Sequence, residues 1–298
     1  MISWTPEGAV ERPVMVQIRV QRAFPGRIRA GAPVPTRSMT QEELLANLRF
    51  FAVDMAGPRC RPCTKLVLSG VGVANRAETP ELLVQARNWG IDTVVLHLGG
   101  EDLEGFDPSR FEGLVDAVVV PVQPGPAGSA LFSAARVIRA CRSSSIQVVA
   151  NTVLSPLALQ ELHSAAKAIA DSGASRASLI YPFPIAGNTA KDVAPIDATL
   201  QALEGAVSEL ERAGLDITIK GLPGCYLGRM AGYMHRSANR WYVDADHQLD
   251  GAVLFFPRVV SFTKQESCRF CKVNDRCDGF FATYLKRPGF PALEPIQE

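Results

Sequence analysis

The sequence contains no apolar run approaching the roughly 20 residues that carry a helix across a bilayer, which excludes a membrane-spanning helix. It has no excess charge of either sign: 31 Lys and Arg stand against 30 Asp and Glu, a formal net charge of +1. A chain so balanced has no bulk attraction for phosphates, so no nucleic-acid partner is expected. Residues 1–10, with Pro6 and Glu7 among them, lack the charged-then-apolar layout of a secretion signal. A cytoplasmic protein with no membrane partner is the expectation. Cysteine is also scarce. Seven in 298 residues, unevenly spread, are too few for a disulfide framework, and in a reducing compartment clustered cysteines more often gather around a metal than pair with each other.

What is present reads as a folded α/β chain. A hydrophobic fraction of 47% and a charged fraction of 20% are ordinary for a globular protein. The length accommodates one large domain with a small appendage, or two modest domains. Short β-branched runs alternate with longer amphipathic stretches, the pattern of parallel strands joined by helices. Strands are expected at residues 14–20, 65–69, 93–97, 117–122, 146–152, 177–181 and 216–220. Thr40 and Glu43 have capping-box spacing ahead of Leu44, Leu45, Leu48 and Phe51. Thr79-Pro80 opens a second helix, with threonine as cap and proline where its missing N–H does no harm. Ser155-Pro156 opens another, running to about residue 172. Such a series folds as an open doubly wound sheet or as a barrel, complete or partial. After Leu222 the repeats stop and Tyr, Trp, Phe and Arg become frequent. A domain boundary is therefore placed there, dividing 1–222 from a cysteine-rich domain over 223–298. The proline-rich end, from residue 286, is expected to lie as a tail over the surface.

Cys268-x2-Cys271-x5-Cys277 puts three thiols on a short polar stretch, and a Cys-x2-Cys turn brings two sulfurs to one side of the backbone. Cys225, in the turn-like Leu222-Pro223-Gly224-Cys225, is the candidate fourth ligand. Four sulfurs suit zinc or an iron–sulfur cluster, and Arg269, Lys272 and Arg276 would offset their negative charge. The plainer alternative is a set of free thiols on a surface loop. Cys60-x2-Cys63 has no third ligand nearby and reads as incidental or redox-active, and Cys141 as a small core residue.

The order of these features resembles the radical S-adenosylmethionine superfamily over most of the chain. Residues 66–73, Leu-Val-Leu-Ser-Gly-Val-Gly-Val, stand where that family has its second strand and a Gly-Gly-Glu-Pro turn. Residues 82–95 look like the helix and strand that follow, 148–153 like the fifth-strand segment, and 181–188 like the proline-glycine stretch after the sixth. Cys268 to Tyr284 resembles the Cys-x2-Cys-x5-Cys-x-Gly…Tyr pattern of the auxiliary-cluster regions called SPASM and twitch. The resemblance implies a partial (β/α)6-type TIM barrel with a small C-terminal auxiliary-cluster domain, a 4Fe–4S cluster on Cys225, Cys268, Cys271 and Cys277 with zinc as the alternative, and a degenerate S-adenosylmethionine pocket at Gly70, Gly72, Gly99 and Gly100.

The departures bear on activity. The family's Cys-x3-Cys-x2-Cys motif, in the loop after the first strand, has no counterpart: residues 22–33 contain no cysteine. Gly72 occupies the position of the glutamate that would meet the ligand's ammonium, and Leu98-Gly99-Gly100 replaces Thr-Asn-Gly. Radical cleavage at the usual site is not expected, because both the cluster ligands and an orienting carboxylate are gone. The expectation is a catalytically degenerate protein that binds a substrate, peptide or partner protein, an active radical enzyme among the candidate partners. Two others stand beside it: an enzyme still using S-adenosylmethionine, through Cys60 and Cys63 or without a radical, and a zinc-stapled adaptor. Arg22, Arg27, Arg29 and Arg37 form either an anion pocket or a solvated loop, and His97 either a base or a hydrogen-bonded residue at a strand end.

Overall fold

The computed structural model describes residues 3–5, 8–10, 13–21, 37–55, 61–123, 129–184, 193–255, 262–287 and 289–297. The chain opens with a short antiparallel pair, β1 (Ser3–Thr5) and β2 (Gly8–Val10). The expected series then follows: β3 (Met15–Arg19), α1 (Gln41–Arg49), β4 (Lys65–Ser69), α2 (Thr79–Asn88), β5 (Thr93–His97), β6 (Ala117–Pro121), α3 (Ser129–Ala140) and β7 (Gln147–Val153). It continues with α4 (Pro156–Gln160), α5 (Leu162–Ser172), β8 (Arg176–Ile180), α6 (Ile196–Arg212) and β9 (Asp216–Lys220). The C-terminal part holds α7 (Gly224–Leu227), β10 (Arg240–Val243), β11 (Val253–Phe255), β12 (Phe262–Thr263) and β13 (Phe280–Phe281).

Two compact units are built from this series. The first comprises residues 1–120, 140–148 and 239–256, the second residues 121–139, 149–238 and 257–298. The units therefore do not follow a single cut at residue 222. Residues 239–256 return to the first unit because β10 pairs in parallel with β3, Trp241 opposite Val16 and Val243 opposite Ile18, and β11 then pairs antiparallel with β10. In the first unit the neighbours run β11-β10-β3-β4-β5-β6, and in the second β7-β8-β9. Within each unit the repeat strands stand in chain order and in parallel, without the reversal that marks a doubly wound sheet.

Local chemistry accounts for the elements. In α1 the Thr40 hydroxyl accepts the Glu43 N–H at 3.2 Å and the Glu43 carboxylate accepts the Thr40 N–H at 2.9 Å, closing the expected capping box. Thr79 behaves otherwise: its hydroxyl donates to the Val73 carbonyl at 2.6 Å and caps nothing. Ser155 does cap, accepting from Ala158 N–H at 3.2 Å, but the backbone breaks at Glu161 and two helices replace the single one expected. Alternate strand positions are sealed: Val16, Ile18, Leu66, Leu68, Val94 and Leu96 are fully buried.

A polar contact ties α1 to the turn that follows β10. Buried Asn47 donates to the Glu43 carbonyl at 2.7 Å and to Gln248 Oε1 at 2.8 Å, while its own Oδ1 accepts the Leu249 N–H at 2.8 Å. Leu249 has φ of 51°, the one positive value outside glycine among the described residues, so Asn47 holds a turn that the backbone resists. Replacing Asn47 by Ala leaves the Leu249 N–H without its acceptor, and unfolding in urea should register a loss of about 0.5–1.5 kcal/mol.

Candidate metal centre

The four candidate sulfurs lie in the second unit and reach one place by different routes. After β9 the chain turns through Leu222 and Pro223 into α7, which carries Cys225 in its first turn. The other three sit on the loop between β12 and β13, whose short antiparallel pairing sets Phe262 opposite Phe281 and Thr263 opposite Phe280. Gly279 closes that loop with φ of 88°, and a Cβ there would lie 2.1 Å from the Thr263 carbonyl oxygen, so only glycine fits. Within the loop, Cys271 N–H donates to the Cys268 carbonyl at 3.0 Å and Asn274 N–H to the Cys271 carbonyl at 3.0 Å.

Cys225, Cys268, Cys271 and Cys277 all line a single cavity of about 20 Å³, together with Pro223, Lys264, Val273, Asn274, Gly279, Leu293 and Glu294. Among the described residues no group of three or more His, Cys, Asp or Glu side chains stands in metal-holding geometry. The sulfurs thus share a wall without being drawn into a cage. Backbone N–H groups point at them: Gly279 donates to Cys277 Sγ at 3.3 Å and Ile296 to Cys271 Sγ at 3.4 Å. Burial pushes the Cys225 thiol above its ordinary value, the nearby Cys277 and Cys268 push the same way, and the Glu294 backbone N–H works against them. Such N–H groups favour the thiolate over the thiol.

Residues unremarked in the sequence complete the wall. The segment at 289–297 crosses the cavity: Leu293 is buried, Ile296 bonds to Cys271 as above, and the Lys272 N–H donates to the Ile296 carbonyl at 2.9 Å. The expected surface tail is therefore part of the site. Lys264 is held by the Asn274 carbonyl at 2.6 Å and its side-chain oxygen at 2.8 Å. The expected charge-balancing Arg269 stacks on the exposed Phe270, 4.6 Å from the ring centre.

The remaining cysteines are elsewhere. Cys63 is buried in the first unit and burial pushes its thiol up to about 12, while Cys141, also buried, is pushed up to about 11. Cys60 lies outside the described residues. Cys63 precedes β4, whereas Gly70 and Gly72 follow it, and a strand of that length separates them by about 20 Å. Buried, protonated and at the wrong end of the strand, Cys63 is a poor ligand for anything held at the glycine turn.

The glycine candidates belong to the first unit. Gly70, with φ of 133°, presses on the chain after β3: a Cβ there would lie 2.8 Å from the Gln21 nitrogen. Gly99 stands near it, a built Cβ meeting the Gly70 oxygen at 3.5 Å, while Gly72 and Gly100 border open space. What joins the two turns is Asp102, which no pattern in the sequence singles out. Fully buried, it accepts from the Ala74 N–H at 2.8 Å and the Gly99 N–H at 2.7 Å. The loop at 22–36, with Arg22, Arg27 and Arg29, lies outside the described residues, and Arg37 pairs with Glu43.

No protein-family model and no curated protein matches the chain. Solved structures do, and they define a partial α/β barrel. Streptococcus suis SuiB bound to S-adenosylmethionine is 11% identical with a TM-score of 0.58, over 94% of this chain and 75% of that one. Histidine-tagged anSMEcpe with bound AdoMet is 13% identical with a TM-score of 0.61, over 95% of this chain and 89% of that one. SuiB bound to the precursor peptide SuiA aligns at a TM-score of 0.56 and 11% identity, over 86% of this chain and 62% of that one. The fold of this chain is that of these S-adenosylmethionine-bound structures.

Asp102 supplies a test of the glycine turns. Burial holds its carboxyl above the ordinary range, against the N–H groups of Gly99, Ala74 and Asn75, which favour the anion. The folded chain then keeps its proton to higher pH than the unfolded chain, so stability falls as pH rises from about 4 towards the folded value. In Asp102→Asn this slope should vanish from the urea-derived stability profile, with an overall loss of about 1–3 kcal/mol because one N–H loses its acceptor.

Proposed function

We propose that this is a radical-S-adenosylmethionine-fold protein that holds an iron–sulfur cluster on Cys225, Cys268, Cys271 and Cys277 and serves as a peptide- or partner-binding accessory, without cleaving S-adenosylmethionine. The observation that carries the reading is the convergence of four sulfurs from two separate segments on one cavity. One further observation fits the donor set to such a group: N–H donors are aimed at Cys271 and Cys277, and such donors favour the thiolate that a cluster needs. The bound cluster would supply one-electron transfer or a rigid cross-link; the chain's own part is to present sulfurs, exclude water with Leu293 and Val273, and soften the charge with N–H groups and Lys264.

The second half of the reading rests on what a radical site requires. The first cysteine of the sequence is Cys60, so the segment between β3 and α1 offers no thiolate, and Gly72 offers no carboxylate. These residues do not fit a cluster that binds S-adenosylmethionine, and no step is drawn through one. The peptide or partner is supported by a neighbour of the same fold, SuiB, whose structure contains a precursor peptide.

Protein purified without oxygen should be brown and contain iron and acid-labile sulfide. Cys271→Ala and Cys277→Ala should each lose most of both while keeping the circular dichroism of the parent. A colourless protein with one zinc per chain would favour the adaptor reading in place of the cluster, and a protein that takes up neither metal ends the proposal. Release of 5′-deoxyadenosine by the reduced, iron-loaded protein would overturn the accessory role.

A further inference from the structure

Three polar side chains share one row at the end of the first unit's parallel strands. Arg19 on β3 is paired with Ser69 on β4, and Ser69 with His97 on β5. Directly paired residues of a parallel sheet project from the same face. Each of the three is also the last residue of its strand, the edge at which α/β proteins bind ligands. Their immediate neighbours Ile18, Leu68 and Leu96 are the fully buried positions, so the polar row belongs to the opposite face, where Arg19 and His97 are half-buried.

The row is held in place, and two of its members have bonding capacity to spare. Gly70 follows directly, pressed against Gln21, and Val20 N–H donates to the Ser69 carbonyl at 2.8 Å, which fixes the spacing of β3 and β4 at this edge. The Ser69 hydroxyl has only long contacts, 3.4 Å to the Ile18 carbonyl and 3.5 Å from Gln17 Nε2. The Arg19 side chain makes no hydrogen bond or ion pair with any described residue. A guanidinium cannot shed its charge, and half-burial without a counter-charge is costly. Its five donors match the oxygens of a carboxylate or phosphate, and hydroxyl and imidazole donors beside it extend the same match.

We propose that Arg19, Ser69 and His97 form a binding site for an anionic oxygen group, the carboxylate or phosphate of a small ligand or of a peptide side chain. Arg19 supplies the charge, and Ser69 and His97 fix orientation. The site stands in the first unit and does not depend on the cysteine site, so either can fail alone.

Calorimetric titration of the full chain with inorganic phosphate and, separately, with malonate, at ionic strength held constant with sodium chloride, tests it. Saturable binding of at least one anion is expected, and whichever binds more tightly identifies the class. Arg19→Gln should weaken that binding about tenfold or more, Arg19→Lys should retain part of it, and Ser69→Ala and His97→Gln should each weaken it less. Thermal melts establish that the variants are folded, and the last two carry the test if Arg19→Gln does not fold. Absence of saturable binding for both anions, or unchanged affinity in the folded variants, overturns the proposal.

Discussion

The second unit depends on an aromatic seat beneath the cysteine loop. Phe280, Phe281 and Tyr284 are fully buried, and Tyr181, at the end of β8, meets Phe280 and Tyr284 at 5.9 Å each between ring centres. Phe262 stacks on Phe281 at 4.4 Å, and the Tyr284 hydroxyl donates to the Pro182 carbonyl at 2.9 Å. Both ends of the loop that bears Cys268, Cys271 and Cys277 are thereby anchored by ring burial, each ring removing on the order of 150–250 Å² from water. Packing of these rings brings the sulfurs onto one wall.

The same division of labour runs through the first unit. Its strands are held by Val, Leu and Ile on one face, which leaves the opposite face and the strand ends free to change chemistry without disturbing the core. The turns after β4 and β5 keep their places because Asp102 gathers the N–H groups of Ala74 and Gly99.

Period and punctuation make the strands legible in the sequence. Residues 65–69, 93–97 and 216–220 form strands with the very bounds the pattern predicts, because β-branched runs there end at sharp changes of residue type. The capping box at Thr40 is equally direct. Thr79 has the look of a cap, but its hydroxyl finds the Val73 carbonyl first. Spacing points to Cys268, Cys271 and Cys277, and the turn-like stretch Leu222-Pro223-Gly224-Cys225 to a fourth cysteine. The segment that covers them is not legible, because Ile296 contacts Cys271 through a backbone N–H, which every residue but proline carries and no pattern reveals. The Arg19 row is equally hidden, since it exists only in the register of three strands far apart in the chain.

The return of β10 to β3 has a consequence for how the protein is made. Val16 emerges from the ribosome 225 residues ahead of Trp241, the residue it pairs with. Until then one edge of the opening strand carries unsatisfied N–H and C=O groups, open to any extended chain that meets it. Closing so distant a pair is slow. The interval gives a chaperone, or a second protein synthesised nearby, time to engage the nascent sheet before its own late strand seals it.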